Sequence, residues 1–291
     1  MRPENSNMDP PILKTSTKKW HKIVAKQTVD MERAWGLSQL KLHMCTRHTI
    51  IVMGYQGSRP IAVKFFFNIQ DLENEQTALA FFQDVGPAIL AVNFEYRCLL
   101  MEQITPGTPL DRLLDKDEDA ALRVLYSVIQ SLHKRPPPLT FKPIAAFRQA
   151  LEKAHHLPLP LSSKTLTKFD HLLKSSSDER ALHGDLHGRN ILKGASRWQI
   201  IDPKGYTGSL GYELSIFLKN PYEELAKDPH MTHTIQRRAH QMAIYFDQDP
   251  QKLIMWTFVS CALSAIWAED DGLNKEAENW LQLTKALSQI V

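Results

Sequence analysis

Apolar and polar positions change rhythm about a third of the way along the chain. In residues 18–36, Trp20, Ile23, Val24, Met31 and Trp35 fall roughly on one side of a helix. Three runs of β character follow: LSQLKLHMC (37–45), TIIVMGY (49–55) and PIAVKFFF (60–67), with the polar QGSR between the last two marking a hairpin turn. LENEQTALAFFQDVG (72–86) predicts a helix stopped by Gly86 and Pro87. AILAVNF (88–94) and YRCLLMEQI (96–104) predict two more strands, and TPGTPL (105–110) breaks the pattern. Beyond it the period is helical. A helix is expected over 119–133, ahead of three prolines, and another over 163–174 with Leu166, Phe169, Leu172 and Leu173 as its apolar set. A last one carries Trp280, Leu283, Leu287 and Ile290 at spacings of three, four and three.

This pattern predicts an α+β protein with a small β-rich half, 1–104, behind a flexible tail, 1–17, and a larger, mainly helical half, 105–291. The segment LIMWTFVSCALSAIWA (253–268) falls short of the ~20 apolar residues a membrane span needs. Thr257, Ser260 and Ser264 interrupt it, and Glu269, Asp270 and Asp271 close it, so a buried core helix is expected and no membrane contact.

Composition narrows the function classes. The 291 residues are 43% hydrophobic and 23% charged with a net charge of +3, and no dense Lys/Arg stripe with interleaved aromatics points to nucleic acid. Cys45, Cys98 and Cys261 lie far apart and form no C-x-x-C pair, which fits a reducing compartment. The N-terminal stretch has no apolar run of signal-peptide length. A cytoplasmic protein is expected.

The chemistry concentrates in ALHGDLHGRNIL (181–192), which has the form H-x-D-x-x-x-x-N. A phosphoryl-transfer loop needs a carboxylate to accept the proton of a hydroxyl, which makes Asp185 the candidate base. Five residues on it needs an amide oxygen for a magnesium ion, the place of Asn190. The strand-like WQIID then ends on Asp202, a second hard-oxygen ligand. Each of these residues alone would only shape a polar turn; the full spacing favours chemistry. A zinc site on His183 and His187 is disfavoured, because Gly184 and Gly188 argue against a ligand helix. Upstream, Lys64 in IAVKFF matches the strand lysine that contacts nucleotide phosphates, and Glu75 is its expected partner in preference to Glu73. LLMEQITPG is the expected hinge, with Met101 bordering an adenine and the Glu102 carbonyl and Ile104 N–H as its hydrogen-bonding groups. No G-x-G-x-x-G stands between the first two strands, only Thr46-Arg47-His48.

LLMEQITPGTPL, ALHGDLHGRNIL, WQIIDPKGYTG and CALSAIWAEDDG together resemble the aminoglycoside/hydroxyurea antibiotic resistance kinase family, which includes streptomycin 6-phosphotransferases. IDPKG in place of D-F-G is the most specific element. The resemblance runs from about residue 20 to the C-terminal helix. It implies a protein-kinase-like two-lobed fold, ATP and Mg2+ as co-substrates, and γ-phosphate transfer to a small-molecule hydroxyl, with Asp185 as base and Asn190 and Asp202 as metal ligands. A streptomycin-like aminoglycoside is the favoured acceptor and a sugar or metabolite alcohol the alternative. A protein kinase is disfavoured because PKGYTGSLGY is too short for a peptide-docking segment, and a silent nucleotide-binding module because Lys64, Asp185, Asn190 and Asp202 are all present. Residues 205–291 hold 11 Asp/Glu against 7 Lys/Arg, which suits a cationic acceptor. Glu269 and Asp270, at a helix end whose dipole they oppose, are its expected contacts, with Glu213 on the opposite wall.

Overall fold

The computed structural model describes residues 13–154, 157–176 and 178–291, so residues 1–12 of the expected tail lie outside it. The chain divides into two compact units. One runs up to Gln76 and includes Ala88–Gln103; the other holds Thr77–Pro87 and Ile104–Val291.

In the first unit helix α1 (Leu13–Ala34) is followed by strands β1 (Leu37–Cys45), β2 (Thr49–Gln56) and β3 (Arg59–Phe66). Helix α2 (Ile69–Phe81) begins in this unit and ends in the other, and β4 (Ile89–Asn93) and β5 (Cys98–Glu102) complete the sheet. The sheet is antiparallel throughout, in the order β1-β2-β3-β5-β4. Alternation decides its faces. Ile61, Val63 and Phe65 of β3 join Ile50 and Val52 of β2 in a core with Trp20, Val24 and Met31 of α1. Lys64 therefore belongs to the other face. The helix starts earlier than residue 18, so residues 13–17 of the expected tail are helical. Where β2 passes the bulge in β1, a Cβ on Gly54 would lie 2.7 Å from the Ser38 carbonyl oxygen, so only glycine lets the strands pair there.

The second unit holds strand β6 (Pro106–Pro109) and helices α3 (Asp111–Leu114) and α4 (Glu118–Leu132), then β7 (Lys142–Pro143), α5 (Arg148–Lys153) and α6 (Leu159–Ser175). Strands β8 (Arg180–Leu182), β9 (Ile191–Gly194), β10 (Trp198–Ile200) and β11 (Tyr206–Gly208) follow. Helices α7 (Leu210–Leu218), α8 (Tyr222–Leu225), α9 (Met231–Phe246), α10 (Pro250–Asp270) and α11 (Asn274–Leu287) end the chain. The strands make two small sheets, β10-β9-β6 and β7-β11-β8. The TPGTPL segment is thus an edge strand on β9 rather than a simple break, because a proline on an edge loses no ladder partner.

Helix α10 is the axis of this unit, packing against α5, α6, α7, α9 and α11. Asp249 caps it by accepting from Gln251 N–H, and Pro250 opens its first turn, which starts it three residues before the apolar run. Among the described residues it is the one helix long and apolar enough to cross a membrane, and most of it is buried inside the protein. Trp256, Phe258, Leu253 and Leu263 are fully enclosed, so its apolar character is core character. Truncating a side chain such as Trp256 to Ala costs about 3–5 kcal/mol in such a setting.

Candidate active site

The segment 183–190 leaves β8 and returns through a short 3-10 turn, Gly188–Asn190, into β9. Its backbone is tied down at nearly every step. His187 N–H donates to the Asp185 carbonyl at 3.0 Å, and Asn190 N–H to that of His187 at 2.9 Å. Ile201 N–H donates to the Asn190 carbonyl at 3.0 Å, and Lys204 N–H to that of His183 at 2.7 Å. Two glycines are required by their surroundings. Gly184 has φ +85° and the Tyr206 ring against it, and a Cβ on Gly188 would run into the Asp111 carboxylate.

Two buried side chains set the loop from beneath. The His183 ring is fully buried; Nδ1 accepts from Asp185 N–H at 3.2 Å and Nε2 lies 2.9 Å from the Ile201 carbonyl. Only the neutral Nε2–H tautomer serves both bonds, and burial pushes its pKa down to about 3 accordingly. Glu213 of α7 is also fully buried; Oε1 accepts from His183 N–H at 2.8 Å and Oε2 from Gly184 N–H at 2.9 Å. Burial raises its pKa to about 7 against the opposing effect of those two N–H donors. The sequence places Glu213 on an acceptor wall. The structure corrects this: the carboxylate is enclosed in the core with both oxygens committed to the loop, so it positions that loop.

Asp185 is partly exposed. Asn190 Nδ2 donates to its carbonyl at 2.9 Å and approaches its Oδ2 at 3.4 Å. With Nδ2 held there, Asn190 Oδ1 has no protein partner among the described residues. Asp202 follows β10 with φ +60° and accepts from Lys204 Nζ at 2.6 Å. Among the described residues there is no cluster of three His, Cys, Asp or Glu. The available oxygens are an amide and a carboxylate, the kind that magnesium uses alongside phosphate and water.

In the first unit Lys64 Nζ is 2.5 Å from Glu75 Oε2, both side chains about 5% exposed, and 5.2 Å from the centre of the Phe66 ring. Glu73 is exposed instead and accepts from Gln70. Glu102 N–H is taken by the Ala88 carbonyl at 3.0 Å, whereas Ile104 N–H has no protein partner among the described residues. Met101 is buried. The turn at Thr46-Arg47-His48 is closed without glycine, by Thr46 Oγ1 accepting from His48 N–H at 3.3 Å and Thr49 N–H at 3.0 Å.

A cavity of about 180 Å³ in the second unit is lined by Asp185, Asp111, Lys219, Tyr222, Glu276 and Trp280 among others. Glu269 and Asp270 are absent from its walls. Glu269 lines a different cavity of about 340 Å³, with Leu157, Ala265 and Ala277, and Asp270 lines neither. The expected acceptor carboxylates are therefore not brought to the pocket that contains Asp185. The groups that are there come from α3, the 183–190 loop, the turn after α7, α8, α10 and α11. Of these, Asp111, Lys219, Tyr222 and Glu276 come from separate elements, and no local spacing announces them.

A β-sheet unit carrying a buried strand lysine–glutamate pair and a helical unit carrying the H-x-D-x-x-x-x-N loop make this a phosphotransferase of protein-kinase-like fold. The chain belongs to the aminoglycoside/hydroxyurea antibiotic resistance kinase family, whose sequence pattern matches residues 34–272. It is 27% identical over 253 residues to a streptomycin 3''-kinase of Klebsiella pneumoniae, covering 83% of this chain and 92% of that one. It is 26% identical over 257 residues to a hydroxyurea phosphotransferase of Kitasatospora aureofaciens, covering 82% and 71%. The fold matches that of a thermostable mutant of aminoglycoside phosphotransferase APH(4)-Ia, solved with AMP-PNP and hygromycin B. The TM-score is 0.67 at 13% identity, over 90% of this chain and 97% of that one.

Proposed function

We propose that the protein transfers the γ-phosphate of ATP to a hydroxyl of a small-molecule acceptor, an aminocyclitol of the streptomycin kind being the first choice. The observation that carries this reading is the pairing of Asp185 with Asn190 on a loop fixed from beneath by His183 and Glu213. Asp185 orients the acceptor hydroxyl and takes its proton as that oxygen bonds to the γ-phosphorus and the bond to the β–γ bridging oxygen breaks, releasing ADP. Asn190 Oδ1 and Asp202 would hold Mg2+, which when bound neutralises charge on the phosphate oxygens. Lys64, set by Glu75, contacts the α- and β-phosphates, and Met101, the Glu102 carbonyl and the Ile104 N–H receive the base. A cytoplasmic setting, where ATP is supplied and Cys45, Cys98 and Cys261 stay as free thiols, belongs to the same proposal.

A second reading has support of its own. A 180 Å³ cavity is below the ~300–1,000 Å³ of ordinary drug-sized sites, so it suits one ring or a compact acceptor such as hydroxyurea. The test is ATP consumption by the purified protein against aminoglycosides, hydroxyurea, sugars and amino alcohols, with Asp185→Asn alongside. Phosphorylation of streptomycin or hydroxyurea, lowered about 10²-fold or more in the variant, is the expected result. Turnover of none of the panel, or near-parental turnover by Asp185→Asn, defeats the reading.

A further inference from the structure

Lys219, the residue that closes α7, is a buried amine that makes no ion pair with any described residue. Its Nζ donates to the Ser260 carbonyl at 2.9 Å and to Ser264 Oγ at 2.6 Å, both on α10, and stands 4.9 Å from the centre of the Trp280 ring. The residue is 4% exposed, yet it lines the cavity that contains Asp185. An ammonium has three donors, and the described residues use two of them.

The other ionic groups around that cavity are answered. Asp111 Oδ2 is 3.3 Å from Arg189 Nε, and Arg189 also reaches Glu223 at 3.1 Å. Asp185 has Asn190, and Glu276 accepts from the Tyr222 hydroxyl. Lys219 is the one buried cation among them, and it makes no ion pair with any described residue. Burial pushes its pKa down to about 8, with Cys261 and Asp185 acting in the opposite sense. A structural requirement at this place would be met by an apolar side chain stacked on Trp280, without the cost of desolvating a charge. The ring and the two serine oxygens hold the ammonium in place, and its remaining donor is left for whatever enters the cavity.

We propose that Lys219 is a specificity-determining residue, its ammonium donating to an oxygen of the bound acceptor other than the hydroxyl that is phosphorylated. This rests on the kinase reading above and adds a requirement to it. The acceptor presents, besides its reacting hydroxyl, an oxygen with a free lone pair (a second hydroxyl, an ether or a carbonyl), and an ammonium brought to that point is rejected. Cationic groups of the acceptor belong instead beside Asp111 and Glu276.

Two measurements test this. The first uses Lys219→Met, which keeps an unbranched chain on Trp280. For whichever of streptomycin or hydroxyurea the parent phosphorylates, acceptor KM should rise about tenfold or more, with ATP KM unchanged and a thermal midpoint equal to or above the parent's. A parental acceptor KM overturns the proposal, as does an equal rise in both KM values. The second is independent of any acceptor. Acylation of the folded parent with acetic anhydride, mapped by peptide mass, should modify Lys219 from the cavity; a Lys219 that stays unmodified until the protein unfolds is sealed by its serines, and the proposal falls. A parent that phosphorylates neither compound while Lys219 is acylated removes the proposed acceptors and leaves an accessible buried donor, so the two failures are distinguishable.

Discussion

Glu213 accepts the backbone N–H of His183 at 2.8 Å, from a helix thirty residues further along the chain. With its other oxygen on Gly184, one buried carboxylate fixes both residues that lead into Asp185. A Gln at this place can accept one of those N–H groups and must turn an NH2 toward the other. Glu213→Gln should therefore lower stability by about 1–3 kcal/mol and lower turnover as well, since the strand-to-loop junction is free to shift. Denaturant unfolding and steady-state kinetics on the same preparation check this. Parental values in both would show that the carboxylate is dispensable to the loop.

Lys64 and Glu75 form a buried pair, and breaking such a pair from one side typically costs about 3–5 kcal/mol. Glu75→Ala should show a loss of that order together with weaker ATP binding. The double variant Lys64→Met/Glu75→Leu separates the two effects. Stability should return toward the parent while ATP affinity stays lost, because apolar packing replaces the pair but not its proposed contact with phosphate. Calorimetric titration of ATP into both variants decides it, and recovery of ATP binding in the double variant contradicts the phosphate role.

Asp202 accepts from Lys204 within the IDPKG segment. Under the proposed mechanism this carboxylate would help to hold Mg2+ when nucleotide is bound, in place of its contact with Lys204. Asp202→Ala should lower turnover and should remove most of the difference in ATP affinity measured with magnesium and with EDTA. A variant that keeps the parent's metal dependence places the ion on other ligands.

The readable parts of this protein are those whose signal is local. Strands 37–45, 49–55 and 60–67 declare themselves by alternation and by turn residues between them, and each is found within a residue of its expected ends. Glu75 was separable from Glu73 by helix phase alone, and it is the one that meets Lys64. The H-x-D-x-x-x-x-N segment is legible because its residues sit at fixed intervals on one short loop. The depth of Glu213 is not legible, because nearness to Asp202 along the chain says nothing about burial, and α7 is buried on every side. Lys219, Asp111 and Glu276 were invisible for a related reason. They meet only after α3, α7 and α11 pack, and nothing in LKNP or LDRL distinguishes a pocket residue from a surface one.

His133 supplies the last prediction, because it is a buried base with an unanswered atom. It caps α4, its Nε2 has no hydrogen-bond partner among the described residues, and burial, aided by Arg180, pushes its pKa from 6.5 down to about 4. The folded state thus favours the neutral ring, while the unfolded chain takes up a proton below pH 6.5. Its stabilising contribution is complete above pH 6.5 and is lost as pH falls toward about 4. His183 acts in the same direction and Glu213 in the opposite one between about pH 4.5 and 7, so the parent's own profile mixes all three. The difference between the parent and His133→Gln isolates the one ring. Between pH 7.5 and 4.5 the parent should lose about 2–3 kcal/mol more unfolding free energy than the variant. Urea titrations of both proteins at the two pH values measure it, and parallel losses would show that His133 is protonated as easily in the folded protein as in the unfolded one.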